Sequence, residues 1–177
     1  MRILLADNRD SFTRNLEHLL HAACGAVPEI VSYPDVGPDT ARGYDLTVIS
    51  PGPGHPRDYP AYGPLLSSGR PVLGVCLGLQ IAALCFGGEV TRLSGCFHGQ
   101  ASRFELFGRQ VTAARYHSLH VSRPGPDMEV LAGCDGIPMA ARHRTLPVLG
   151  LQFHPESFLT TRGEDIIRDC LQMLLPG

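Results

Sequence analysis

Long apolar runs, paired cysteines and an excess of basic charge are all missing from this sequence, and each absence excludes a class of protein. No stretch approaches the ~20 apolar residues of a membrane-spanning helix, so no membrane partner is expected. Lys and Arg number 15 against 17 acidic residues, a formal net charge of -2. That balance supplies no basic field for nucleic acid or anionic lipid. The six cysteines, Cys24, Cys76, Cys85, Cys96, Cys134 and Cys170, form no C-x-x-C pair and stand near no histidines at zinc-finger spacing. In a reducing compartment most such thiols are small buried hydrophobes. The apolar run Ile3 to Ala6 stops at Asp7 and lacks both a basic n-region and a long h-region. It reads as a first strand rather than a signal peptide, and a soluble, cytoplasmic chain is expected. Repeats, linkers and low-complexity tracts are also lacking.

What is there is enough for one core: 177 residues, 44% of them hydrophobic, read as a single domain over 1–177. The first half alternates short apolar runs with helical spacing. Arg2 to Asp7 predicts a strand, and Asp10 or Ser11 caps a helix with apolar positions Phe12, Leu16, Leu19, Leu20 and Ala23, ending at Gly25. Strands follow over Glu29 to Tyr33 and Asp45 to Ser50, the latter running into the turn Pro51-Gly52-Pro53-Gly54. Leu65 and Leu66 mark a short helix; Pro71 to Val75 predicts a strand and Leu77 to Phe86 a helix closed by Gly87-Gly88. From Glu89 to about Leu151 short alternating stretches predict antiparallel or mixed strands. A last strand, Val148 to Phe153, precedes a closing helix over Gly163 to Leu175. Apolar runs alternating with helices predict an α/β fold: an open, mostly parallel, mixed sheet with helices on both faces. In such sheets ligands bind beyond the carboxyl ends of the strands.

One cysteine stands apart. Gly74-Val75-Cys76-Leu77-Gly78 has the form of a nucleophile elbow, with small residues permitting a tight turn that lifts the thiol above the sheet. A helix starting at Leu77 offers free N–H groups and a positive dipole end, which favour thiolate, and the Leu77 N–H suits an oxyanion. Taken alone, Cys76 is still an ordinary buried thiol. A thiolate attacking an amide needs an acid to protonate the departing ammonia. His154 follows a strand end and is braced by Pro155. Glu156 lies at i+2, on the same side of an extended chain, where it can orient the imidazole. The 50–54 turn lacks a Gly-Lys-Ser/Thr ending, and its prolines remove the donors a phosphate loop needs. It reads instead as a rigid wall whose Gly52 or Gly54 N–H is a second oxyanion donor. Gln80, one helical turn past Cys76, faces the same cleft. His117 and His120 stand three apart without further ligands, so no metal site is expected.

These segments together resemble the class I (triad) glutamine amidotransferases of flavodoxin-like architecture, and within them the glutaminase subunits of anthranilate and aminodeoxychorismate synthases. The segments that carry the likeness are Asp7 to Thr13, Ser50 to Gly54, Gly74 to Gln80, Arg115 to Leu119 and Gln152 to Ser157. The resemblance implies Cys76 as nucleophile, His154 as acid and base and Glu156 as its partner. It also implies that Gly52, Gly54, Leu77, Gln80, Ser118 and Leu119 bind glutamine and its oxyanion; Ser118 rests on the resemblance alone. The implied activity is hydrolysis of L-glutamine through a γ-glutamyl thioester, without a cofactor in this subunit. Ammonia passes to a chorismate-utilising synthase partner of anthranilate, aminodeoxychorismate or aminodeoxyisochorismate type. Leu79, Gln100 and Arg9 depart from the subfamily, which usually carries His, Lys and an aromatic or aliphatic residue there. Two other readings share the motifs: a stand-alone γ-glutamyl hydrolase or cysteine amidase, and a degenerate interaction subunit without catalysis.

Overall fold

The computed structural model describes residues 1–175. Its elements run β1 (Ile3–Asp7), α1 (Thr13–Cys24), β2 (Glu29–Ser32), α2 (Pro38–Ala41), β3 (Leu46–Ile49), α3 (Tyr62–Leu66), β4 (Val72–Val75) and α4 (Leu77–Cys85). Then come β5 (Glu89–Arg92), β6 (Gln100–Leu106), β7 (Arg109–Arg115), β8 (Leu119–Arg123), β9 (Met128–Cys134), β10 (Ile137–His143), β11 (Val148–Leu151) and α5 (Gly163–Leu174). A seven-stranded sheet has the order β2-β1-β3-β4-β11-β10-β9. Its first five strands are parallel, and β10 and β9 are added antiparallel. None of the helices among the described residues is long and apolar enough to cross a membrane.

The central strands are buried on both faces, and apart from Thr47 and the strand end at Asp7 they carry no polar side chain. In β1, Ile3 and Leu5 join a cluster with Leu16, Leu20, Ile166 and Cys170 from α1 and α5. Leu4 and Ala6 point the other way, into a cluster with Tyr62, Leu65, Leu66, Leu77 and Ile81 from α3 and α4. Side chains alternate along a strand, so a strand sandwiched between two helical layers must be apolar at odd and even positions alike. α1 ends as expected, with Gly25 left-handed at φ 75 and its N–H bonded to His21 O at 2.7 Å.

One expectation needs correction, and two features lay beyond the sequence reading. Neither Asp10 nor Ser11 caps α1: the N-cap is Phe12, without a side-chain cap. The Asp10 carboxylate instead accepts the Phe12 N–H at 2.7 Å, a local turn that precedes the helix and turns the Phe12 ring away from its apolar stripe. The short helix α2 carries too few apolar residues to show a period. The short strands of the second half pair antiparallel, as expected: β9, β10 and β11 extend the main sheet, while β5 pairs with β8 and β6 with β7 as separate two-stranded ribbons. The β6–β7 ribbon folds back toward the sheet edge, where Ala114 bridges His154.

Helix α4 sits almost against the sheet. A Cβ on Gly74 would lie 2.5 Å from the Gly78 carbonyl carbon, and one on Gly78 would lie 2.9 Å from Ile49 O. Both contacts are with backbone, which cannot swing aside. Replacing Gly74 by Ala is therefore expected to cost roughly 1–3 kcal/mol through overpacking, read as a lower urea midpoint at unchanged slope. Wild-type stability in that variant would show that the close approach is dispensable.

Candidate active site

Parallel pairing of β4 with β11 places Val75 opposite Leu151. The residues just beyond each strand end, Cys76 on one side and Gln152 to His154 on the other, thereby emerge together at the carboxyl edge. Cys76 adopts φ 51, ψ -95, a backbone region sparsely populated by L residues and the conformation an elbow requires. Its own N–H is tied to Leu151 O at 2.6 Å, so the turn is anchored to the neighbouring strand. The thiol is buried and sits at the N-cap of α4, and Gln152 Nε2 donates to Sγ at 3.6 Å.

His154 is 3% exposed, its N–H bonded to Ala114 O at 3.0 Å. Its Nδ1 meets Glu156 Oε1 at 2.6 Å, the orienting contact expected from the i+2 spacing. Phe12 and Tyr116 pack against the imidazole with centroids 5.4 and 5.1 Å away and shield it from water. Burial opposes a charge on this ring. Hydrogen bonding and charge from Cys76 and the Glu156 carboxylate outweigh that, so the His154 pKa is pushed up to about 10. Nε2 is buried and completes no hydrogen bond among the described residues, although Cys76 is close enough to act on the ring electrostatically. A thiol, an imidazolium and a carboxylate in one dry corner constitute an acyl-transfer set.

Cys76, Gly52, Gly54, Leu77, Gln80, Ser118 and Leu119 all line a single cavity of about 170 Å³, with Pro53, Tyr116 and His117. His154 and Glu156 lie outside that lining. Gly52 presses on Leu77, where an added Cβ would come within 2.8 Å of the leucine side chain, so the Pro-Gly loop and the head of α4 form one continuous wall. Asn8 anchors that loop. Its Nδ2 donates to Ser50 O at 2.9 Å and its N–H to Ser50 Oγ at 3.0 Å, while Tyr62 Oη donates to its Oδ1 at 2.6 Å. Gln80 spends its amide N–H groups inside the protein, on Leu119 O at 2.9 Å and Gln152 Oε1 at 3.3 Å. It thus builds the wall as well as facing the cavity.

Asn8, Phe12, Tyr116 and Gln152 escaped sequence reasoning as parts of the site. Each lies inside one of the five motif segments, and only the pairing of distant strands gives it a task. His117 and His120 do not converge: their Nδ1 atoms face Leu119 O and Thr91 O respectively. Among the described residues no group of three or more His, Cys, Asp or Glu gathers as metal ligands would. Leu79 is fully buried beside Ala83, Val121, Met128 and Ala141, turned away from the cavity, so its apolar character suits its place. Gln100 and Arg9 are exposed.

Folding raises the His154 pKa from the ordinary 6.5 to about 10, so folding favours the imidazolium. Its stabilising contribution is complete below pH 6.5 and fades as pH climbs through about 10. By proton NMR the His154 ring is expected to titrate near the top of that window, and well below it in Cys76→Ala, where one negative neighbour is gone. Equal midpoints in the two proteins would dissociate His154 from Cys76.

The family model for glutamine amidotransferase class-I matches residues 4–174. A Streptomyces griseus aminodeoxychorismate synthase is 43% identical over 94% of this chain, and the chain spans a quarter (25%) of that protein's length. Thermococcus kodakarensis anthranilate synthase component 2 is 41% identical over 99% of this chain and 100% of its own. The pyocyanine-specific anthranilate synthase component 2 of Pseudomonas aeruginosa is 42% identical over 97% and 93%. A crystal structure from Thermoplasma acidophilum, assigned to a GMP synthase subunit, superposes with a TM-score of 0.82 at 24% identity, covering 98% of this chain and 94% of that one; it bears on the fold alone. With its elbow, its sheet order and a family match across nearly its whole length, this chain belongs to the class-I glutamine amidotransferases.

Proposed function

We propose that this chain hydrolyses L-glutamine at Cys76 and delivers the ammonia to a chorismate-utilising synthase subunit, of anthranilate, aminodeoxychorismate or aminodeoxyisochorismate type. The observation that carries the proposal is the convergence of Cys76, on its positive-φ elbow, with the buried His154–Glu156 pair at 2.6 Å. Family membership makes glutamine the amide donor. The relatives named as anthranilate synthase component 2 and aminodeoxychorismate synthase support a chorismate-utilising acceptor.

In the proposed mechanism the Cys76 thiolate attacks the side-chain amide carbon of glutamine. The resulting oxyanion takes the Leu77 N–H and an N–H of Gly52 or Gly54, donors fixed before the charge develops. The His154 imidazolium, kept protonated by its two negative neighbours, gives its proton to the amide nitrogen. The C–N bond breaks, and ammonia departs with a γ-glutamyl thioester left on Sγ. Neutral His154 then draws a proton from water, hydroxide attacks the thioester carbonyl, and glutamate leaves as the thiolate and imidazolium are restored. Glu156 holds the ring throughout through Nδ1. Glutamine meets the cavity walls at Gln80, Ser118 and Leu119. A thiol, an imidazole and a carboxylate suffice for every step, so no cofactor is invoked.

The test is the complex with its synthase, supplied with chorismate and glutamine. Cys76→Ala is expected to abolish glutamate release, by at least about a thousandfold, while free ammonium salts still support amination by the partner. Robust glutamine turnover in that variant would sink the assignment. Full activity of the isolated chain on γ-glutamyl peptides, with no synthase complex formed, would point to a stand-alone hydrolase instead.

A further inference from the structure

The mechanism uses neither Arg115 nor His117, yet both are buried, His117 in the cavity lining and Arg115 against it. Arg115, at the end of β7, is completely inaccessible, and its Nε donates to His117 Nε2 at 3.2 Å. That donation decides the imidazole tautomer. Nε2 must present its lone pair, so the ring proton sits on Nδ1, which donates to the Leu119 carbonyl at 2.9 Å. The same carbonyl takes the Gln80 amide at 2.9 Å; Gln80 also donates to Gln152 Oε1 at 3.3 Å, and Gln152 donates to Cys76 Sγ at 3.6 Å. A continuous run of hydrogen bonds therefore links the buried arginine to the nucleophile, with Leu119 O as its node.

The arginine is held at a cost. Among the described residues its Nη2 has no partner, Nη1 reaches only Ser102 Oγ at 3.3 Å and an exposed Asp135 carboxylate at 3.7 Å, and its guanidinium lies over Phe97 at 3.4 Å. A buried cation so sparsely paired is less stabilising than an apolar side chain of the same volume. Stability alone gives no reason for it. The backbone around it is secured from outside, Phe97 N–H to His117 O at 3.1 Å and Leu93 N–H to Ser118 O at 2.8 Å. Leu119 O, facing inward, relies on His117 and Gln80.

We infer that His117, held in its Nδ1–H tautomer by the Arg115 Nε–H, is a positioning residue that fixes the Leu119 carbonyl and with it the wall against which glutamine is bound. With both ring nitrogens occupied it is neither an acid, a base nor a ligand. Burial, and then the Arg115 guanidinium, push its pKa down to about 4, so the neutral ring persists across the working pH range. The inference rests on the glutaminase reading of the cavity.

The decisive comparison is steady-state glutaminase kinetics of the synthase complex carrying His117→Leu or His117→Asn. Asparagine places an N–H donor where Nδ1 stands and can still reach Leu119 O; leucine offers none. His117→Leu is expected to raise KM for glutamine about tenfold, the loss of one buried hydrogen bond and the freeing of its acceptor, with kcat changed less than about threefold. His117→Asn is expected to bring KM back to within about threefold of wild type. An unchanged KM in His117→Leu, or equal impairment in both variants, overturns the inference. Should His117→Leu fail to fold, His117→Gln takes its place, because its longer amide meets Arg115 rather than Leu119 O, and the same outcomes decide. A wild-type complex that releases no glutamate would instead defeat the glutaminase reading itself.

Discussion

The register of β4 against β11 is the interaction on which the rest of the structure depends. Each strand is only four residues long, yet pairing Val75 with Leu151 puts the ends of both at one level of the sheet. Cys76, His154 and Glu156 lie one to five residues beyond those ends. A one-residue slip would reverse the facing of every side chain past the strand, sending His154 into the helical layer and away from Cys76. Burial of both faces makes such a slip costly, because every strand residue except Gly74 and Gly150 belongs to an apolar cluster on one face.

A second constraint is electrostatic. Charges placed in a dry site are expensive unless paired, and here they are paired with each other. Glu156 and Cys76 flank His154 and raise its pKa, while Phe12 and Tyr116 keep water from the ring. The nearby His117, in the cavity lining, shows the opposite case: buried beside a guanidinium instead of a carboxylate, it is driven neutral. Two histidines on adjoining segments thus hold opposite charge states, one suited to moving a proton and the other to holding a carbonyl still.

Much of this was legible without coordinates. Apolar runs alternating with helical spacing identified the parallel sheet because two-sided burial forces that pattern. Gly74 and Gly78 around Cys76 marked the elbow because only small residues let α4 approach the strand so closely. The i+2 spacing anticipated the His154–Glu156 contact because an extended chain returns to the same side every second residue. Helix α2 and the start of α1 were not legible. Four residues show no period, and the Asp10 carboxylate satisfied a turn N–H instead of a helix end.

The sequence by itself determined which residues bear the chemistry and which local shapes present them, since glycine placement, strand composition and short-range spacing act within a few residues. Only the tertiary structure decided what those residues do to one another. Strand order brings Cys76 to Gln152 and His154, the β6–β7 ribbon carries Tyr116 over the imidazole, and the fold of the 93–119 segment buries Arg115 against His117. None of those meetings is encoded in spacing, because they depend on which distant surfaces exclude water together.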